Sequence, residues 1–171
     1  VEEDGMTTKT VMIVMGSESD LSSMTPAVDI LKKFDIPVDV VVASAHRTPE
    51  RAAELAEGAR AAGVGAIIAG AGMAHHLGGA LAARTTLPII AVPLAAGKLG
   101  GVDSLLSAVQ MPPGVPVATV AVNGAKNAAF LAAQILGVAD ETIEAKLADH
   151  KVEQAKAVDE ANGRVREQFG L

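Results

Sequence analysis

Residues 10–20 read TVMIVMGSESD, a short apolar segment that ends in a polar loop. The apolar part, Thr10–Met15, does not alternate polar with apolar side chains, which is typical of a strand buried on both faces of a sheet. Gly16 permits a tight turn directly after this strand. Because the polar residues that follow can begin a helix, the stretch predicts a strand, a turn and a helix, the repeating unit of an α/β fold.

Four more apolar segments have the same character, at Val38–Ala43, Ala66–Ala69, Pro88–Val92 and Val117–Val122. Helical patterns follow the segments, at Asp20–Phe34, Pro49–Ala62, Ala74–Arg84, Val102–Val109 and Ala125–Leu136. This alternation predicts a three-layer α/β fold, a parallel five-stranded sheet with helices on both faces and a flavodoxin-like order. We assign the catalytic domain to residues 9–137 and a disordered leader to residues 1–8.

The C-terminal segment, residues 138–171, is charged and helical in composition. Its apolar residues fall at helical spacings, at Ile143, Leu147, Val158, Val165 and Phe169. A helix of about 30 residues spans roughly 45 Å and would project beyond a compact five-stranded domain. We expect these residues to pack on a neighbouring subunit, and a solvated tail is the alternative.

The composition excludes several classes of protein. The 171 residues fit one domain. The net charge is −6 without a basic stripe, which argues against a nucleic-acid partner. The chain has no Cys, so disulfides and thiolate metal sites are excluded. The apolar runs are broken well before about 18 residues, so no membrane span is expected, and we predict a cytoplasmic protein.

The first polar loop follows the first predicted strand, where ligands bind in doubly wound sheets. The hydroxyls of Ser17 and Ser19, with the free N–H groups of the next helix, suit a phosphate. Asp20 would repel phosphate and therefore fits sugar hydroxyls better. The structural alternative is that Ser19 or Asp20 is a plain N-cap. The glycine spacing of a Walker or dinucleotide loop is absent.

The second polar loop, Ser44–Pro49, follows the second predicted strand. Thr48 and Pro49 form a good N-cap and N1 pair, which is a structural role. The preceding residues are not needed for a cap. His46 can donate and accept protons near neutral pH, and Arg47 can bind a phosphate. A loop histidine exposed by chance is the alternative, but the carboxyl end of a strand favours a site.

The third polar loop, residues 70–79, reads GAGMAHHLGG. Small residues such as Gly72 let the backbone approach a ligand closely. His75 stands where a dinucleotide fingerprint has its third glycine. The adjacent His75 and His76 lack the spacing of a helical zinc pair, so no metal is expected. We expect one of them to pack in the core and the other to face the site. Lys98, after the fourth strand, belongs either to a mobile lid or to an ordinary surface.

Together, the loops GSESD, SAHRTP and GAGMAHHLGG resemble those of the N5-carboxyaminoimidazole ribonucleotide mutase family, also known as the catalytic-subunit type of phosphoribosylaminoimidazole carboxylase. Further matches are GVDSLLS at 101–107, VQMP at 109–112, GVPVAT at 114–119 and NAA at 127–129. The resemblance covers roughly residues 9–137, in order. Each motif alone is weak, and the series in register is strong.

The resemblance implies a mutase of purine biosynthesis, an isomerase that moves a carboxylate on an aminoimidazole ribonucleotide through transient CO2. It implies no cofactor, and a homo-octamer. His46 would carry the proton. Substrate contacts are expected from the residues that the loops contribute, namely Ser17, Ser19, Asp20, Ser44, Arg47, Gly72 and His76.

Three positions depart from the family's usual pattern. His75 replaces a usual Ala, Gly78 replaces a usual Pro, and Met73 stands where Gly is common. Related carboxylases that use free CO2 usually lack the His-Leu segment, so His76 favours the mutase over this alternative. A non-catalytic nucleotide-binding module is an alternative from another class, but it would leave His46 unexplained.

Overall fold

The computed structural model describes residues 8–171. Of the leader predicted at residues 1–8, residues 1–7 lie outside the described part. Thr8 lies within it, and its hydroxyl is 3.4 Å from a carboxylate oxygen of Asp140. The leader therefore stays a prediction.

The chain forms one five-stranded sheet with the order β2-β1-β3-β4-β5, and every neighbouring pair is parallel. The strands are β1 Thr10–Met15, β2 Val38–Val42, β3 Val64–Gly72, β4 Ile89–Leu94 and β5 Ala118–Thr119. This is the flavodoxin-like strand order, so the predicted fold class is confirmed.

The helices connect the strands and cover both faces of the sheet. They are α1 Leu21–Lys33, α2 Pro49–Ala59, α3 Leu77–Ala82, α4 Val102–Val109, α5 Ala125–Gly137 and α6 Glu141–Gln168, with a short 3₁₀ turn at Glu18–Asp20 before α1. Helix α3 begins at Leu77 rather than at the predicted Ala74. Both histidines of the third loop therefore precede the helix, so helical geometry does not set the directions of their side chains.

The core forms two apolar layers, one on each face of the sheet. Helices α1 and α5 pack on one face, and α2 and α3 pack on the other. Strand β2 departs from the predicted burial on both faces, since Val40 and Val42 are 41% and 39% exposed. The reason is its place at the edge of the sheet, where it has only β1 as a neighbour.

The first half of α6 packs on the domain that precedes it. Ile143 is buried in the same apolar layer as α1 and α5, and Leu147 packs against that layer. The ring of His150 stacks on Phe130 at a centroid distance of 4.7 Å. Ile143 is therefore covered by its own chain and not, as expected, by a neighbouring subunit, because α6 folds back onto α5; Leu147 is covered only in part.

The second half of α6 and Phe169, which directly follows the helix, leave apolar side chains uncovered. Val158, Val165 and Phe169 are 67%, 54% and 70% exposed. Apolar side chains that a neighbouring subunit could cover, expected along the whole segment, are thus found in this part of it. None of the helices in residues 8–171 is both long and apolar enough to cross a membrane.

Candidate active site

The predicted loops meet in one pocket of about 410 Å³ at the carboxyl ends of the strands. This volume suits a small-molecule ligand. Seven of the eight predicted site residues line it, namely Ser17, Ser19, Asp20, Ser44, His46, Arg47 and Gly72. The eighth, His76, contacts the ring of His46. The sequence thus predicted a set of residues that the fold brings together.

The first loop is closed by hydrogen bonds among its own residues. The backbone N–H of Ser17 donates to the Asp20 carboxylate at 3.0 Å, and the Ser19 hydroxyl donates to the Ser17 hydroxyl at 3.0 Å. Ser17 therefore caps the short turn before α1, and Asp20 completes a capping box. Burial raises the pKa of the Asp20 carboxyl, although the Ser17 N–H acts in the opposite direction. These polar groups have a structural role and still line the pocket.

Arg47 joins the first loop to the second. Its Nη2 donates to the backbone carbonyl of Gly16 at 2.9 Å, and its backbone N–H donates to the Ser44 hydroxyl at 3.2 Å. A guanidinium has five N–H donors, so this contact leaves others for an anion. The side chain is thus held beside the pocket with donors to spare.

Thr48 occupies the N-cap position of α2, as predicted, but its side chain makes no capping hydrogen bond. Its hydroxyl accepts a hydrogen bond from the Ser44 N–H at 2.9 Å and lies 3.2 Å from the Ser44 carbonyl, to which it donates. These contacts use the side chain within the loop, so none reaches the first turn of the helix. Pro49 occupies the start of α2 as predicted.

A histidine pair joins the second loop to the third. His46 Nε2 lies 2.8 Å from His76 Nδ1, and the two rings meet edge to face at 75°. One nitrogen must donate and the other must accept, so one proton lies between the rings. Both rings are exposed beside the pocket. The pair places two groups that can exchange protons at the point where loops from different strands meet.

Known proteins resemble this chain over most of its length. Residues 10–157 match the family model described as AIR carboxylase. The chain belongs to the AIR carboxylase family. It is 50% identical over 157 residues to N5-carboxyaminoimidazole ribonucleotide mutase of Pyrococcus horikoshii, covering 92% of this chain and 89% of that protein. It is 53% identical over 137 residues to the protein of the same name from Mycobacterium tuberculosis H37Rv, covering 80% and 79%.

A solved structure shows the same relationship in three dimensions. The crystal structure of Treponema denticola PurE superimposes with a TM-score of 0.85 at 28% identity. The superposition covers 92% of this chain and 99% of that chain. The AIR carboxylase family thus accounts for the sheet, the loops and most of α6.

The third loop contains Met73, His75 and Gly78, the residues at which the sequence departs from the pattern that it resembles. Met73 has a φ of 53°, a left-handed conformation that glycine adopts more readily than a residue with a side chain. Gly72 allows a close approach, since a Cβ at this position would lie 2.4 Å from the Cβ of Ala96. The backbone at this wall of the pocket is therefore tightly constrained.

Of the two adjacent histidines in the third loop, His75 is the buried one, and one of the two was expected to pack in the core. Its ring is fully buried, and Nε2 lies 3.1 Å from the carbonyl of Ala69. Within residues 8–171, Nδ1 is buried without a hydrogen-bond partner. Burial lowers the pKa of this imidazole. A Cβ on Gly78 would lie 3.4 Å from its Cε1, so these two departures lie side by side.

Two serines of α4 hold the third loop in place, and sequence reasoning did not identify this role. The Ser104 hydroxyl donates to the Ala71 carbonyl at 2.7 Å and accepts from the Leu94 N–H at 3.2 Å. The Ser107 hydroxyl accepts from the His75 N–H at 2.8 Å. The available signal was the pair of hydroxyls, three residues apart, in a helix whose other residues, apart from Asp103, are apolar.

The segment between β4 and α4, residues 95–101, contributes less to the pocket. Ala96 lines the pocket and was not predicted, because an alanine has no chemical signature. Lys98 is exposed and is not among the residues that line the pocket. In residues 8–171, no three His, Asp or Glu side chains cluster as metal ligands would.

Proposed function

We propose that this protein interconverts N5-carboxyaminoimidazole ribonucleotide and 4-carboxy-5-aminoimidazole ribonucleotide, the mutase step of purine biosynthesis. The observation that carries the proposal is the His46–His76 contact of 2.8 Å beside a pocket lined by hydroxyls and an arginine. Membership of the AIR carboxylase family and the names of its relatives support the same reaction.

We assign the binding of the substrate to the first two loops. Arg47 and the hydroxyls of Ser17 and Ser19 would hold the phosphate, because a guanidinium and hydroxyl donors suit phosphate oxygens. Asp20 would accept hydrogen bonds from ribose hydroxyls. The backbone at Gly72 and the alanines around it form a small apolar wall against which CO2 can be retained.

We assign the proton transfers to His46. In the first step the bond between N5 and the carboxylate carbon breaks, CO2 is released, and N5 takes a proton from the His46 imidazolium. In the second step C4 forms a bond to the CO2 carbon, and the C4 proton returns to His46. The ring ends in the protonation state in which it began, and an imidazole can act as both proton donor and proton acceptor in one cycle.

His76 has a supporting role in this scheme. Because its Nδ1 faces His46 Nε2, the proton that the reaction uses has a defined position between two rings. His76 also belongs to the His-Leu segment that favours the mutase over a carboxylase that uses free CO2.

An isotope experiment separates the three candidate functions. The substrate carries ¹³C in its carbamate, and NMR follows the label in buffer with and without unlabelled bicarbonate. A mutase converts the carbamate without added bicarbonate, and the label then appears in the carboxylate carbon bonded to C4. Turnover of aminoimidazole ribonucleotide that requires bicarbonate, with none of the carbamate, would establish the carboxylase. Binding without turnover would establish a nucleotide-binding module.

We also propose that the chain assembles as a homo-octamer, in which the second half of α6 packs on a neighbouring subunit. The exposed Val158, Val165 and Phe169 support this use of the helix. Ending the chain after Gln154 removes them and keeps Ile143 and Leu147 in their own core. Light scattering should then show a smaller assembly, whereas a monomeric wild-type protein or an unchanged oligomer would contradict the proposal. A cytoplasmic location stays a prediction of the sequence.

A further inference from the structure

A second opening adjoins the candidate active site, and we call it the Arg51 groove. It has a volume of about 390 Å³ and shares Gly16, Ser17, Ser44 and Arg47 with the site pocket. Its own charged residues are Glu18 and Arg51. The phosphate-compatible groups of the first two loops thus form a wall with an opening on each side.

Arg51 lies in the first turn of α2 without a partner for its charge. Among residues 8–171 it takes part in none of the ion pairs or side-chain hydrogen bonds. Arg60, at the other end of the same helix, donates to the Thr86 hydroxyl at 2.9 Å. The groove therefore holds an arginine with all its donors available, in a protein whose net charge is −6.

A phosphate monoester at the shared wall would carry more negative charge than Arg47 alone neutralises. Such a group carries a charge of about −1.5 to −2 at neutral pH, and Arg47 supplies a single positive charge. We propose that Arg51 is the second cation for the 5′-phosphate of the ribonucleotide and that it determines the preference for phosphorylated ligands. This inference rests on the proposed function for the identity of the ligand, and its chemistry applies to any sugar phosphate bound at this wall.

The negative charge of Glu18 allows a second test, in which the expected change in phosphate affinity is opposite to that for Arg51. Its carboxylate lines the same groove and repels an anion there. Removing the negative charge should strengthen phosphate binding, and removing the positive charge of Arg51 should weaken it.

The experiment compares Arg51→Gln, Arg51→Lys and Glu18→Gln, with Arg60→Gln as the matched control on the same helix. Titration calorimetry measures the Kd of ribose 5-phosphate and of ribose, and steady-state kinetics measures KM and kcat for the ribonucleotide. We expect Arg51→Gln to raise the Kd of the phosphorylated ligands roughly fivefold, as for a partly screened charged contact. Arg51→Lys should restore most of this loss, Glu18→Gln should lower Kd, and Arg60→Gln should match the wild type.

The loss should appear in KM more than in kcat and should shrink at high salt, because salt screens exposed charges. Equal loss for ribose and ribose 5-phosphate, or no loss in Arg51→Gln, would overturn the proposal. The titrations need no turnover. A wild type that is inactive on the carbamate but binds ribose 5-phosphate through Arg51 would refute the proposed function and leave this inference intact.

Discussion

The loops of the candidate active site and the long helix α6 are held in different ways. The loops are joined by short polar contacts, such as Arg47 to the Gly16 carbonyl and His46 to His76. Helix α6 is held by apolar packing in its first half, where Ile143 is buried, and its second half has exposed apolar residues such as Val158. Polar contacts thus hold the loops to one another around the pocket, whereas the rest of the chain covers α6 only in part.

Replacing His46 tests whether the polar loops carry chemistry rather than stability. We expect His46→Asn to lower turnover about 10²- to 10⁴-fold, the usual contribution of general acid–base catalysis. The free energy of unfolding should stay near that of the wild type, since the side chain is exposed in a loop. Turnover assays and urea unfolding measure the two effects. A folded variant with near-normal turnover would contradict the assignment of the proton transfers to His46.

Replacing Ile143 tests the opposite region, where stability is expected without chemistry. Ile143→Ala should lower the free energy of unfolding by about 2–5 kcal/mol, because it removes a fully packed side chain. Val152→Ala is the matched control on the same half of α6, since Val152 is 69% exposed. Its effect should stay within about 0.5 kcal/mol in urea unfolding. Equal losses in both variants would mean that Ile143 is not packed in the core.

Replacing Arg47 measures what one loop contributes to binding. Arg47→Ala should weaken binding of the ribonucleotide by about 1.5–3 kcal/mol, the range for a charged hydrogen bond. Binding of the dephosphorylated nucleoside should change little, and calorimetry with both ligands provides the comparison. If wild type binds the nucleoside as tightly as the nucleotide, Arg47 does not recognise the phosphate.

The smallest expected effect is a pH dependence that arises from His75. Its pKa in the folded state lies below the unfolded value of about 6.5, because burial disfavours the charged ring. The unfolded state therefore binds more protons below that pH, and stability should fall by at most about 1.4 kcal/mol per pH unit as the pH drops below about 6.5. Urea unfolding at pH 7.5 and 5 should show a smaller fall in His75→Ala. An unchanged fall would assign the effect to other groups.

The sheet and most of the pocket could be predicted from the sequence, for physical reasons. Strand β1 has the bounds predicted for it, because a continuous apolar run ends abruptly at Gly16. The site residues come together because the carboxyl ends of parallel strands lie at one edge of the sheet. The predicted loops therefore needed no tertiary information to be placed near one another.

Two features that the sequence did not predict depend on contacts between elements distant in sequence. Ser104 and Ser107 bond to the third loop, which is more than thirty residues away in the chain. The apolar spacing of α6 correctly indicated a helix, but it could not show that Ile143 would be covered by α1 and α5 rather than by another subunit. Spacing determines which residues share a face, and only the tertiary arrangement determines what covers it.

The contact between Arg47 and the Gly16 carbonyl has an entropic consequence. A free arginine side chain has about 2 kcal/mol of rotamer entropy. Since Nη2 already bonds to Gly16, part of this freedom is lost when the chain folds rather than when a ligand arrives. Preorganisation of this kind lowers the cost of association, because the ligand meets a side chain that is already restrained. Restraint of Arg47 by the folding of the two loops thus strengthens the binding of a ligand at the site.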